Sequence, residues 1–271
     1  FDVESTHLNP YWAKLVGVGF ATRPGHAFYL PLNGALPQGR VVEFLRSLFA
    51  RSPAGFFGHN AKYDIAVLKN EGIEVKKLDF DTILASYLIN AHERRHGLDD
   101  LALDLFGKEM IPIESLIGKG KQQKSMADVP LEDIAIYCGE DADFTFRLRL
   151  ALEPKLEARH LRKLLDEIEL PLLFVLEGME RRGVFVDRQF LAHCSEELKA
   201  AIERLKETIY QLAGVPFNLN SPKQMSEVLF QKMGISPLKK GRTMPSTNAD
   251  VLEALAADHP IAQRILEYRL L

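Results

Sequence analysis

The sequence has little cysteine, no long apolar run and no surplus of positive charge. Its two cysteines, Cys138 and Cys194, lie far apart in 271 residues. That excludes a disulfide framework and a thiolate zinc site, and both read as reduced thiols. The eight histidines show no zinc spacing. No apolar stretch approaches the ~20 residues needed to cross a bilayer, and no signal-peptide pattern is present. The net charge of −3 excludes a globally basic, histone-like binder, but leaves room for a local basic patch beside an acidic site. Internal repeats and low-complexity tracts are missing too. Gly118-Lys119-Gly120-Lys121 lacks the spacing of a phosphate-binding P-loop and reads as a basic surface loop.

What is present is an ordinary globule: 46% hydrophobic and 26% charged residues. That size suits one large domain, or a medium one with a smaller element. No Met opens the chain, whose first residues read as strand and last residues as helix. The expectation is a piece of a longer protein.

Phe1–Glu4, Leu15–Phe20 and Ala27–Leu32 have β character, with a turn signal at Arg23-Pro24-Gly25. Helical periodicity follows over Gly39–Phe49. A short strand is expected at Gly55–Phe57, a helix at Ala61–Asn70 and a strand at Val75–Phe80. Helices are predicted from Asp81-Thr82 to Asn90, over Leu98–Phe106, and from Pro130 to about Leu152. Beyond Leu161 the β signal nearly vanishes, and Leu170–Met179 and Phe190–Ala213 are amphipathic helices flanking an extended Val184–Val186. The predicted fold class is α/β with a mixed sheet flanked by helices, then an all-α segment, divided as 1–160 and 161–271.

Three acidic clusters carry chemistry. Asp2 and Glu4 are two apart, so on a strand both carboxylates project from one face. Such like charges repel unless a cation neutralises them. Asp64 falls in the first turn of a helix whose N-cap is Asn60. Tyr137 and Asp141, four apart, share a helix face. Read singly, these are a solvated strand end, a capping motif, and a half-buried tyrosine near an exposed acid. Glu140 and Asp143 read as solvated. Read together, the four acids suit hard divalent cations, a pair of which can act on a phosphodiester. A basic stretch completes the set: between Ser221 and Pro245, Lys223, Lys232, Lys239, Lys240 and Arg242 face one acid, Glu227.

In this arrangement the chain resembles the tyrosine-bearing branch of the DEDD exonuclease superfamily. Asp2-Val3-Glu4 matches its first motif, Asp64 its second, and Tyr137-x-x-x-Asp141 its third. The histidine-bearing branch would need a histidine at Ile136. The phrases Gly58–Asp64, Asp81–Tyr87, Ile117–Lys121 and Tyr137–Asp143 look like the proofreading domain of the bacterial DNA polymerase I family, family A. Glu169–Leu172, Met179–Val184, Phe217–Gln224 and Pro245–Thr247 look like the start of that family's thumb. Nearly the whole chain is covered.

The resemblance implies a ribonuclease H-like fold followed by a truncated thumb, and a 3′→5′ exonuclease of DNA. It implies two divalent metal ions, Mg²⁺ with Mn²⁺ or Zn²⁺ as alternatives, held by Asp2, Glu4, Asp64 and Asp141. Asp2 would bridge the pair, and Tyr137 with Glu4 would orient the attacking water. Leu8, Asn60 and Tyr63 would meet the single-stranded 3′ end. Lys223, Lys239, Lys240 and Arg242 would meet a primer–template duplex. The parent would be a monomer of the bacterial cytoplasm, associated with the nucleoid and not with membrane. His59 stands where glutamine is frequent and Ile113 where an aromatic is frequent. The polymerase carboxylate motifs are absent from these residues, so polymerisation is not expected of them. Two rivals remain: an exoribonuclease similar to ribonuclease D, which would have a different helical half, and a non-catalytic DNA-binding scaffold, which would lack carboxylates.

Overall fold

The computed structural model describes residues 1–237 and 244–271. They form two compact units, Phe1–Gly183 and Val184–Leu271.

The first unit is mixed α/β. Strands β1 (Asp2–Ser5), β2 (Leu15–Arg23) and β3 (His26–Pro31) form an antiparallel meander in that order. The Pro24-Gly25 turn joins β2 to β3, where Arg23 pairs with His26. The second sheet is a parallel pair, β4 (Phe57–Gly58) and β5 (Phe80–Asp81), two residues each. The Phe1 nitrogen donates to the Phe57 carbonyl at 2.8 Å, linking the two sheets at the base of β1.

The sheet is thus smaller than the sequence suggests. Val75–Phe80 is not a strand; pairing is confined to Phe80 and Asp81. Val75 and Leu78 are buried through side-chain packing instead, so the apolar run reports the core and not a ladder.

Helices α1 (Gln38–Arg51), α2 (Ala61–Asn70), α3 (Thr82–Ile89), α4 (Leu98–Phe106) and α5 (Ile113–Ile117) precede the long α6 (Leu131–Ala158). Helix α6 runs past the predicted end near Leu152 and through Pro154, because Leu152 and Leu156 both face the core. Short α7 (Arg162–Leu164) passes through a π-helical turn (Leu165–Glu169) into α8 (Leu170–Arg182). Leu165, Leu170 and Leu173 join the same core as Val18, Leu45, Leu68, Phe80 and Leu148. The packing boundary therefore follows Gly183, and the expected division at 160/161 lies inside the first unit.

The second unit is helical: α9 (Arg188–Ala213), α10 (Pro222–Ser226) with a following π turn, α11 (Ala249–Ala256) and α12 (Pro260–Leu270). Its separate core centres on Ile209, Met225, Leu229, Leu252 and Ile265. Among the described residues no helix is long and apolar enough to cross a membrane.

Candidate active site

The site begins with the pairing of β1 against β2. Asp2 lies opposite Gly19 and Glu4 opposite Gly17, so each acid has a glycine as its cross-strand neighbour. A Cβ at Gly19 would fall 2.7 Å from Cys138 Sγ and 2.9 Å from the Cys138 carbonyl oxygen. Gly19 therefore lets α6 approach the sheet closely. A Cβ at Gly17 would strike the Tyr29 ring at 2.1 Å from its hydroxyl. With that space free, the Cys138 thiol reaches Asp2 Oδ2 at 3.5 Å. Asp2, Glu4 and Cys138 each offer a ligand atom, all within 4.8 Å of one another.

Asp64 enters from α2. Asn60 precedes the helix as expected, but in a left-handed conformation (φ 59°, ψ 42°) and with no capping bond from its side chain. Asparagine tolerates that conformation better than most residues. The cap comes from elsewhere. Asp81 Oδ2 accepts from the Ala61 N–H at 2.8 Å, while its Oδ1 accepts from Ile83 and Leu84 at 2.9 and 3.3 Å. One buried carboxylate thus holds the N-termini of both α2 and α3, fixing where Asp64 stands.

Helix α6 supplies Tyr137, half-buried, and Asp141, buried, one turn apart. The neighbouring acids are not the solvated groups the sequence suggested. Asp143 accepts from Gly25 N at 2.6 Å and from Arg147 Nε at 2.8 Å. Glu140 accepts from Ile111 N at 2.7 Å and pairs with Lys108 at 2.7 Å. They tie α6 to the β2–β3 turn and to the segment before α5, contacts that sequence spacing cannot show.

Asp2, Glu4, Asp64, Tyr137 and Asp141 all line one cleft of about 550 Å³, together with Leu8, Asn60 and Tyr63. Burial raises every carboxyl in the set. Glu4 is pushed up to about 8 and Asp141 to about 9, with Asp2 the next cause in both. Asp64 rises well above the usual range, again from burial first and Asp2 second. Asp2 is raised by burial, against the opposing pull of its hydrogen bonds from the Cys138 thiol and the Val3 backbone. Asp2 is thus the acid that all the others feel. Glu4 Oε1 and Asp64 Oδ2 are buried with no hydrogen-bond partner. Orphaned carboxylate oxygens around a mutually repelling acid set fit a hard divalent cation, which takes oxygen ligands.

Some residues in or beside the cleft went unrecognised in the sequence. Cys138 read as an ordinary thiol because its partner is 136 residues away. Asp99, in the first turn of α4, lines the cleft and is raised by burial, then by Asp100 and Glu140. An acid at a helix start looks like dipole placement, so nothing local marked it. Lys124 brings an exposed cation to the same cleft. His59 lines it as well, with Nδ1 2.8 Å from Thr82 Oγ1, and is lowered to about 4 by burial and then by His96. Ile113 also borders the opening. Leu8 stands 92% exposed, and the Tyr63 hydroxyl donates to the His7 carbonyl at 2.6 Å. Lys223 is an exposed residue of α10 in the second unit, whereas Lys239, Lys240 and Arg242 lie outside the described residues.

A family model described as 3′-5′ exonuclease matches residues 1–157, and one described as DNA polymerase family A matches residues 188–271. The DNA polymerase I of Chloroflexus aurantiacus is 40% identical over 100% of this chain, and that of Pseudomonas aeruginosa 38% identical over 99%. The Bacillus subtilis protein of the same name is 35% identical over 99%. The chain spans 30%, 31% and 30% of these three relatives. Among solved structures, the POL domain of Pol1 from M. smegmatis, in complex with DNA primer-template and dNTP, superposes with a TM-score of 0.75 at 27% identity. That match covers 98% of this chain and 43% of the other. The exonuclease match takes in every acid of the cleft, and the chain belongs to the 3′-5′ exonuclease family of the family A DNA polymerases.

Proposed function

We propose that this chain is the proofreading portion of a bacterial DNA polymerase I, removing nucleotides one at a time from a DNA 3′ end. The observation that carries the reading is the acid set of the cleft, in which Glu4, Asp64 and Asp141 are each perturbed by Asp2. Asp2, Glu4, Asp64 and Asp141 would hold two divalent cations, Mg²⁺ by preference. Bound there, such ions supply the charge that neutralises the carboxylates and the developing charge on the scissile phosphate.

The remaining work belongs to side chains. The Tyr137 phenol, kept protonated by burial, donates or accepts a hydrogen bond that orients the attacking water, with Glu4 as its partner. Leu8 and Tyr63 pack against the terminal nucleotide, and Asn60 lies beside them at the start of α2. The β1–β3 meander and the β4–β5 pair, joined through Phe1, suit a ribonuclease H-like sheet. On function the chain divides at 160/161, the second part being the beginning of a thumb that grips duplex DNA through Lys223, Lys239, Lys240 and Arg242. The working unit is a monomer acting at the bacterial nucleoid.

The test is degradation of a 3′-labelled single strand in Mg²⁺. Wild type should shorten it stepwise, whereas Asp2→Ala and Asp141→Ala should nearly abolish cleavage with the fold intact by circular dichroism. Wild-type rates in Asp2→Ala would remove the metal assignment, and faster attack on RNA than on DNA would favour the ribonuclease D-like rival. For the second unit, replacing Lys239, Lys240 and Arg242 by alanine should flatten the salt dependence of duplex binding. The log–log slope should fall by about one for each phosphate that is no longer neutralised. Parallel lines would mean that these cations never meet the DNA backbone.

A further inference from the structure

The loop between β1 and β2 carries the chain's single tryptophan, Trp12, on a segment that is firmly held. Asn70 Nδ2 donates to the carbonyls of Pro10 and Ala13 at 2.7 and 2.9 Å. The Tyr11 hydroxyl donates to Glu180 Oε2 at 3.1 Å, and the Arg181 guanidinium sits 5.3 Å from the centre of the Tyr11 ring. Within the loop, Trp12 N donates to the Asn9 carbonyl at 3.1 Å, and Asn9 N to His7 Nδ1 at 2.8 Å. Of the loop's two large aromatics, Tyr11 is half-buried and bonded, while Trp12 is left 73% exposed. Its ring centroid is 5.4 Å from that of His7, and His7 lines the cleft beside Leu8.

An indole offered to solvent on a pinned loop, one ring away from a cleft lined with carboxylates, is suited to stack on a planar ligand. Base stacking on aromatic side chains tolerates any sequence, as a site for varied strands requires. Resting on the exonuclease reading above, we propose that Trp12, backed by His7, is a base-stacking platform. It takes the nucleotides of the single strand upstream of the one held at the acid set. A mononucleotide would end before reaching it, whereas an oligonucleotide would cross it.

Because Trp12 is the only tryptophan, the intrinsic indole fluorescence of the full chain reports on this position alone. Titration in EDTA would compare thymidine 5′-monophosphate with an eight-nucleotide oligothymidylate carrying a 3′ label, whose anisotropy reports binding independently. The octanucleotide should quench the indole and the mononucleotide should leave it unchanged. Trp12→Ala should weaken octanucleotide binding by about five- to tenfold, and Trp12→Phe should restore most of it. Binding seen by anisotropy without indole quenching, or equal affinity in Trp12→Ala, would overturn the platform and leave the exonuclease reading standing. An octanucleotide that binds neither wild type nor variant would likewise overturn the platform, while the exonuclease reading is decided separately by the cleavage assay in Mg²⁺.

Discussion

Asp2 is surrounded by choices that make sense only around it. Gly19 stands opposite it on β2, and Cys138 occupies the space that glycine leaves. Burial holds the Cys138 thiol well above its ordinary range, so it remains a donor to Asp2 and not a competing thiolate. Tyr137 is likewise kept in its phenol form. Tyr137→Phe should therefore slow single-turnover cleavage by about ten- to a hundredfold while the Mg²⁺ midpoint stays put, because an orienting group is removed and no ligand is. An unchanged single-turnover rate would place the hydroxyl outside the chemistry. Periods of two and about 3.6 residues told which side chains share a face, Asp2 with Glu4 and Tyr137 with Asp141, but only the resemblance to the DEDD exonucleases joined these pairs with Asp64 as one candidate site. Gly17, Gly19 and Cys138 were not legible. In the sequence they are parts of a β-type run and of a predicted helix, and their meaning depends on a strand pairing and a helix contact made far along the chain.

At the scale of elements, two carboxylates decide where helices stand. Asp81 caps α2 and α3 together. Glu177 of α8, 2% exposed, accepts from Lys69 Nζ at 2.8 Å and from Arg181 Nε at 2.6 Å. Arg181 in turn donates to the Ala66 carbonyl at 2.7 Å, so α8 is locked to the C-terminal half of α2. Burial alone would raise Glu177, but its bonds to Lys69 and Arg181 outweigh that and hold it low. Asp81→Ala should cost about 2–4 kcal/mol in urea unfolding, since three donors lose their acceptor. It should also raise the Mg²⁺ concentration needed for cleavage, because Asp64 sits on the helix that loses its cap. Glu177→Ala should cost about 2–3 kcal/mol. That is below the ~3–5 kcal/mol of a fully buried pair, since Lys69 and Arg181 retain some access to water. A urea midpoint within error of wild type in either variant would contradict these roles. The sequence located α2, α3 and the helix of α8, but not what holds them. The Glu177–Lys69 bond joins residues 108 apart, and an acid in an amphipathic helix reads as surface charge. Val75–Phe80 failed as a strand for a related reason, its apolar residues serving the core and not a ladder.

For the molecule as a whole, the acid set gives the first unit an inverted dependence on pH. Glu4 and Asp141 hold protons up to about 8 and 9 in the fold, against about 4 in an unfolded chain. The folded state binds more protons across that window, so metal-free stability should fall as pH rises from about 5 to 9 and then level off. His59, lowered to about 4, acts in the opposite sense below its ordinary value, but the raised carboxyls outnumber it. Glu153, Glu177 and Glu180 are held low by their partners and lose their contribution in acid. The metal-free melting temperature should therefore peak near pH 5, and saturating Mg²⁺ should remove most of the decline toward pH 9. A metal-free melting temperature that climbs from pH 5 to 9 would contradict the buried-acid assignment.

The same raised carboxyls make the cleft a store of exchangeable protons. At neutral pH a cation that enters must evict protons from the raised carboxyls, Glu4 and Asp141 among them. Heat measured on titrating Mg²⁺ into the protein would then include the heat of the buffer accepting those protons. Plotted against buffer ionisation enthalpy, the apparent binding enthalpy should give a straight line whose slope counts the protons released. Read this way, the site is a cation–proton exchanger, and its occupancy in dilute Mg²⁺ should rise steeply with each unit of pH.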